Sequence, residues 1–371
     1  VIGDFMAQVS SNELVKKRVL VFLEEMGLDD LEALGDQILI RSDEAVKSVI
    51  EKLPEGTYIG QIEADGDEEP IVIQTKIDVT PGEIAVDFTG TSLQSTRGIN
   101  VTFNWTYADT VHALLCAFRP DSPINAGSLK RFRVSAPPGC ILNAQYPAAV
   151  GARVLVAHHI QAAVFRALKD VMTGSILADS AAPTWVPVLS GINQYGQRFV
   201  EILIVHGGIG ARPHKDGIVI AYPDHPPTTA IEIFENEKPI LVEKKEFVID
   251  TAGAGRYRGG HGQVFAFKVQ GEHEVRLAMR ADRTEHPPLG FEGGSSGSCG
   301  VAVLNRSQNL HPKRTIFLKP GDHVMLQTPG GGGFYTPSKR HLEAIERDIE
   351  DEVLSIDKAR ESYGYSEGNN D

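Results

Sequence analysis

Cysteine is scarce in this chain: Cys116, Cys140 and Cys299 are its only three, widely spaced along 371 residues. An odd, scattered set builds neither a disulfide framework nor a cysteine zinc site, and it suits a reducing, cytoplasmic setting. Long apolar runs are missing as well. No stretch of about 18 apolar residues is available to span a membrane, and no basic-then-apolar leader opens the chain. Positive charge is in deficit, with 36 Lys and Arg against 49 Asp and Glu and a formal net charge of -13. That balance leaves no basic footprint for nucleic acid and calls for no membrane surface or anionic substrate. The first residue is Val1 rather than Met, so the chain is expected to be a processed product or the rest of a longer polypeptide.

What is present is the profile of a soluble globular protein, 42% hydrophobic and 23% charged. The length allows one large or two to three ordinary domains. Residues 5–26 carry helical periodicity, with Val15, Val19, Phe22 and Met26 on one side and Gly27 as the stop. A second helix is expected from Ser42 to the "LPEG" break. The period then changes to two: "IVIQTKIDV", the turn "TPGE" and the return "IAVDF" predict a β-hairpin. Residues 104–118 and 153–172 read as helices. From about 198 to 330, short β-like runs ("RFVEILIV", "GIVIAY", "QVFAFKV", "HEVRLAMR", "GVAVL", "HVMLQ") alternate with Gly- and Pro-rich loops. Short helices are expected at 338–349, after Thr336-Pro337, and at 356–363, after Ser355, before a frayed tail "SEGNND". The predicted fold is α+β. A helical segment (1–56) precedes a mixed part (57–197), a β-rich part with Gly loops (198–335), and C-terminal helices and tail (336–371).

Glycine is the strongest local signal. Its 37 copies cluster in "HGGIGARPHKDG" (206–217), "TAGAGRYRGGHG" (251–262), "LGFEGGSSG" (289–297) and "TPGGGG" (328–333). Such loops are either turn chemistry or binding surfaces. Neither phosphate-binding template fits them. After Gly330–Gly333 come Phe334 and Tyr335 rather than Lys-Ser/Thr, and "GAGRYRGG" lacks the third glycine spacing and the following helix of a dinucleotide loop. Four successive glycines cost conformational entropy, about 0.5–1 kcal/mol each relative to Ala. The tetraglycine is therefore expected to pack tightly on other backbone at or beside an active cavity, and to offer amide N–H groups to an anionic intermediate.

Nine segments occur in the order seen in one family: "GDFMAQ", "LPEGTY", "VDFTGTS", "GIN", "SPINAGSLKRFRVSAPPGCILNAQYPAAVGAR", "GGIGARPHKDG", "AGAGRYRGGHG", "ADRTEHPPLGFEGG" and "QTPGGGGFYTP". From Gly3 to about Gly364 the chain resembles the hydantoinase B/5-oxoprolinase family, which includes N-methylhydantoinase B-like proteins and subunits of acetone and acetophenone carboxylases. The resemblance implies work with a hydantoinase A-type subunit that carries ATP-Mg and phosphorylates a substrate oxygen. The activated species is then hydrolysed, as in a cyclic-amide hydrolase, or carboxylated, as in a ketone carboxylase. A non-catalytic scaffold of such a complex is the alternative from a different class. The departure is at the front. Family members carry a further N-terminal segment with His/Asp metal motifs, so a divalent metal (Zn or Mn) is expected mainly on a segment absent from this chain. The chain is then one part of a hetero-oligomer, inactive alone, whose partners include the polypeptide bearing that segment and a small-molecule substrate.

The candidate site residues each have two readings. Asp87 in "VDFTGTS" is a carboxylate orienting substrate or water, or a cap on its own turn. Asn100 and Asn104 in "GINVTFNWT" are amide donors to a substrate carbonyl, or helix caps. Arg153 heads a helix, where the dipole disfavours a cation; it binds a substrate anion or makes a structural ion pair. His158 lies on the inward stripe of that helix beside His159, and adjacent histidines diverge by about 100°, too far to chelate one ion together. His206, His214 and Asp216 are the one close His/His/Asp set, chemically competent for Zn or Mn. Arg283, after Asp282 in "MRADRTEHPPLG", is a bidentate holder of carboxylate or phosphate, or an internal partner of its neighbour. Arg258 in "GRYRGGHG" has the same ambiguity. The expected catalytic set is Asp87, Arg283 and His206, with Asn100, Arg153, Arg258 and the backbone of Gly208, Gly210, Gly331 and Gly332 binding substrate.

Overall fold

The structure is a computed structural model that describes residues 2–118, 121–219 and 230–366. The chain opens with helix α1 (Ile2–Met26) and helix α2 (Glu32–Ile50). The second begins ten residues before the expected Ser42. Asp30 supplies the start, its carboxylate accepting from Glu32 N at 2.8 Å. Ser42 lies inside the helix, where its Oγ accepts from Asn125 Nδ2 at 2.8 Å. A serine is a helix-start signal only when its hydroxyl has the first turn's amides to accept from.

Strands β1 (Gly56–Ala64), β2 (Ile71–Thr80) and β3 (Glu83–Asp87) form an antiparallel meander. The alternation of β2 buries Ile71, Ile73, Thr75, Ile77 and Val79. The β2–β3 turn pairs Thr80 with Glu83 around Pro81-Gly82, and Gly82 has φ +74°, as a proline-glycine turn requires. Helices α3 (Phe103–Phe118) and α4 (Ala126–Leu129) then return the chain to β4 (Phe132–Ser135), parallel to β3. The expected helix 153–172 is broken at His158 into α5 (Val154–Ala157) and α6 (His159–Met172). Helix α6 packs across β1 and β2 and against α3. One core lies in this layer, built from residues such as Val46, Ile73, Leu114 and Leu168.

The β-rich part begins ahead of the expected 198, with β5 (Val188–Ile192) and β6 (Arg198–Ile202). Helix α7 (Ile231–Glu237) and strands β7 (Ile240–Phe247), β8 (Gln263–Val269), β9 (Val275–Ala278), β10 (Val301–Leu304), β11 (Gln308–Asn309), β12 (Thr315–Leu318) and β13 (His323–Gln327) complete it. They form two antiparallel sheets, in the orders β11-β10-β13-β8-β7 and β12-β9-β5-β6. Both sheets bury side chains in a second core around Trp185, Phe267 and Leu326, so the pair is a β-sandwich. The segment "GIVIAY" is not strand over 217–219, and its remainder lies outside the described residues. At the C-terminus, a short turn of helix (Pro337–Lys339) leads to α8 (Leu342–Glu350) and α9 (Ile356–Tyr363). Ser355 caps α9 by accepting from Lys358 N at 3.1 Å. Of the expected frayed tail, 367–371 lie outside the described residues. The fold is α+β.

Candidate functional site

Where the two layers meet, the four glycine-rich loops interlock backbone on backbone. Gly331 N donates to Gly260 O at 2.9 Å, Gly332 N to Asp179 O at 2.8 Å and Gly333 N to Ser295 O at 2.9 Å. In return, Gly331 O accepts from Gly253 N and Gly332 O from Ala211 N, each at 2.9 Å. A Cβ at Gly208 would overlap the Gly260 carbonyl, at Gly210 that of Ala178, at Gly331 that of Ile209 and at Gly332 that of Leu289. None of these four glycines has positive φ. They are needed for close approach. The amides of residues 331–333 end on protein carbonyls instead of facing an anion, which corrects the expected N–H cradle.

Beside these loops runs a buried seam of charge. Asp282 and His159 are wholly buried, and His159 Nε2 lies 3.0 Å from Asp282 Oδ1. Asp282 Oδ2 accepts from Lys313 Nζ at 2.7 Å, Oδ1 also accepts from Arg283 N at 2.9 Å, and the Asp282 carbonyl accepts from Trp185 Nε1 at 2.9 Å. Burial pushes the Asp282 carboxyl upward, but Lys313 and His159 outweigh it and hold it well below the carboxylate range. Burial holds His159 down as a neutral imidazole against the pull of Asp282, so it donates from Nε2. Next to this pair, Asp65 at the end of β1 accepts from Thr284 N at 2.5 Å, Thr284 Oγ1 at 2.8 Å, His286 N at 3.1 Å and His286 Nδ1 at 2.9 Å. The seam thus ties the first sheet and α6 to the sandwich.

Arg283 sits at the inner edge of the seam, 2% exposed, with φ +63°. A non-glycine residue in that region is strained and persists only where its surroundings fix it. Its Nε donates to Ala182 O at 3.0 Å. The side chain lines a cavity of about 10 Å³, room for one water, with His158, Gln161, Asp179 and Ser180 among the other walls. Asp179 is 2% exposed; its Oδ2 accepts from Arg166 Nη2 and Leu289 N, each at 3.3 Å. Its Oδ1 accepts no hydrogen bond among the described residues. Burial, and then the neighbouring His159, lowers His158 to about 4. The cavity therefore combines a guanidinium, an open carboxylate oxygen and a neutral imidazole, a set able to orient one water.

The structure brings Arg283, Gly208, Gly210, Gly331 and Gly332 into one neighbourhood, and it disperses the other expected site residues. Asp87 accepts from Thr89 Oγ1 at 3.0 Å and Ser135 Oγ at 2.9 Å, a turn cap at the end of the interior strand β3. Asn100 is buried and spends its amide on Ser95 N, Ser95 O, Arg97 O and Ala149 O. Arg153 stacks 4.5 Å over Trp105, and Asn104 lines the shallow cleft beside them. His206 is buried while His214 is exposed. Both oxygens of Asp216 go to Arg340, at 2.8 and 2.9 Å. That carboxylate is already neutralised, so these three residues do not fit a divalent cation, and no other set of three ligands occurs among the described residues. Arg258 pairs with Asp348 at 2.9 Å and, with Arg340, pins α8 to the glycine loops. Sequence reasoning missed Asp65, Asp179, Arg166 and Lys313. Asp65, in "ADGDEEP", reads as part of a solvated acidic turn, and its partners lie about 220 residues away.

Comparison with known proteins adds the following. The hydantoinase B/oxoprolinase family model matches residues 1–337. An uncharacterised protein of Methanocaldococcus jannaschii is 32% identical over 98% of this chain, and the chain spans 64% of that protein's length. The ATP-dependent caprolactamase of Pseudomonas jessenii superposes on all of this chain with a TM-score of 0.86 at 21% identity, the chain covering 67% of it. An acetone carboxylase, solved nucleotide-free, superposes on 95% of the chain with a TM-score of 0.78 at 17% identity, the chain covering 55% of it.

Proposed function

The chain belongs to the hydantoinase B/oxoprolinase family, and from that premise we propose that it is part of an ATP-dependent cyclic-amide hydrolase of hydantoinase/oxoprolinase type. In this reading a hydantoinase A-type subunit binds ATP and phosphorylates the amide oxygen of the substrate. A lactam or imide is a poor electrophile, and converting its oxygen to a phosphate supplies a leaving group. The observation that carries the assignment of ATP to another subunit is the state of the glycine loops, whose amides at 331–333 are spent on protein carbonyls. This chain's share of the chemistry falls to the cavity, where Arg283 and Asp179 orient one attacking water and His158 stands beside it as a neutral imidazole at physiological pH. A divalent metal belongs to polypeptide outside this chain. Carboxylation of a ketone is the second reading, favoured by the likeness to acetone carboxylase.

The test starts with the isolated chain, which is expected neither to bind nor to hydrolyse ATP; tight binding in a calorimetric titration overturns the assignment. The complex reconstituted with the ATP-binding subunit and the remaining family polypeptide is then offered hydantoin, 5-oxoproline or caprolactam, and separately acetone with bicarbonate. ADP release dependent on a cyclic amide supports the hydrolase, and release dependent on ketone and bicarbonate replaces it with the carboxylase. Arg283→Lys is expected to lower substrate-dependent turnover at least tenfold in the assembled complex.

A further inference from the structure

Strands β6 and β7 each end one sheet of the sandwich, and a cavity of about 70 Å³ lies between these two edges. Helix α7 closes one side of it. Glu235 Oε1 on that helix accepts from Val242 N of β7 at 2.7 Å, and Lys238 at its end pairs with Glu201 of β6 at 3.0 Å. Ile204, Val205, Ile231, Phe234, Val242 and Phe265 give the cavity apolar walls. One lining residue does not match them. Gln263 opens β8 on the same face as the core residues Phe265 and Phe267, because side chains two apart in a strand share a face. It is 6% exposed. Its backbone is paired with Thr328, N donating to Oγ1 and O accepting from N, each at 2.9 Å. Its carboxamide makes no hydrogen bond among the described residues. A carboxamide held in an apolar interior without a partner is costly.

A carboxamide carries an N–H donor and a C=O acceptor on one edge. Both are satisfied at once by an amide whose own N–H and C=O lie on the same side. A trans amide holds these groups on opposite sides, whereas a small ring forces them together. At roughly 10–15 Å³ for each water-sized position, the cavity has room for about five to seven non-hydrogen atoms, the size of a five- or six-membered lactam. We propose that this pocket binds a small, mainly apolar cyclic amide, with Gln263 as its polar anchor. It is separate from the Arg283 cavity, with which it shares no lining residue. The pocket binds and does not react. It is lined by no imidazole or thiol, its one carboxylate, Glu201, is paired with Lys238, and its one lysine, Lys245, is exposed. The inference stands on Gln263 and the size of the pocket, and not on the proposed reaction.

The test titrates the full chain, labelled at its isoleucine methyl groups, with γ-butyrolactam and follows Ile204 and Ile231 of the pocket by NMR. Saturable shifts at both methyl groups are expected. N-methyl-γ-butyrolactam, which lacks the donor, and cyclopentanone, which keeps only the ring and the acceptor, should bind at least tenfold more weakly, because a site built to hydrogen-bond an N–H rejects an analogue without it. Gln263→Leu should weaken lactam binding at least tenfold while leaving the unfolding midpoint unchanged or raised, since it removes an unpaired buried polar group. The proposal is overturned by the absence of saturable shifts at these methyl groups, by equal affinity for the three ligands, or by a Gln263→Leu protein that binds like the parent. Should that variant fail to fold, the comparison of the three ligands on the parent chain decides. No turnover is measured, so a chain that binds the lactam within a complex that acts on no cyclic amide refutes the proposed reaction and leaves the pocket standing. The converse result refutes the pocket alone.

Discussion

Replacing Gly332 by Ala tests whether the glycine loops are an interlocked core. The new methyl group would overlap the Leu289 carbonyl and stand 2.6 Å from Leu289 C and 2.9 Å from Gly290 N. These are backbone atoms and cannot rotate aside. Overpacking of this kind costs about 1–3 kcal/mol when the neighbours can shift. Here the shift also strains Gly332 N→Asp179 O and Ala211 N→Gly332 O, and each buried group left unpaired adds about 1–3 kcal/mol. The opposing term is the reduced freedom of the unfolded chain, about 0.4–1 kcal/mol in favour of Ala. The expected net is about 2–5 kcal/mol of destabilisation. It is measured by denaturant unfolding followed through Trp185, which is wholly buried in the sandwich core next to these loops. The control is Gly35→Ala in α2, where nothing lies within 4 Å of the added methyl; there a gain of about 0.5–1 kcal/mol is expected from helix propensity. A Gly332→Ala protein within about 0.5 kcal/mol of the parent refutes the close-packing argument.

Asp282→Asn leaves Lys313 charged and buried without its counterion, and should cost about 3–5 kcal/mol in the same unfolding assay; a loss below about 1 kcal/mol would show that the seam is not a paired buried charge. Acid should weaken the fold before the carboxylates titrate. Burial lowers both His158 and His261 to about 4, helped by His159 and by Arg258 respectively, while the unfolded chain takes up the same protons near 6.5. The unfolded state therefore binds more protons between these values, so stability is complete above pH 6.5 and falls as the pH drops toward 4, by up to about 3 kcal/mol per histidine. His261→Gln should flatten part of that slope, and a stability that is level from pH 6.5 to 4.5 contradicts the reasoning.

Local periodicity was enough to find the β2–β3 hairpin, because its alternating apolar residues, its Pro-Gly turn and its register lie within 17 residues. The same holds for the Ser355 cap and for the strands at "QVFAFKV" and "HVMLQ". The family was legible too, since its motifs are strings of neighbouring residues. Tertiary structure decided everything that depends on partners distant in sequence. Asp65 meets Thr284 and His286, and His159 meets Asp282, across more than 120 residues. Asp216 and Asn100 look available in sequence, yet the fold spends Asp216 on Arg340 and Asn100 on nearby loop backbone. The tetraglycine is the clearest division between the two. Four residues without Cβ announce a close approach, but only the fold shows that the approaching groups are the carbonyls of Thr251, Ile209, Leu289 and Ala254. The physical reason is one of range: propensity and periodicity act over a few residues, whereas the burial of a charge or the contact of two backbones is settled by which distant segments the cores bring together.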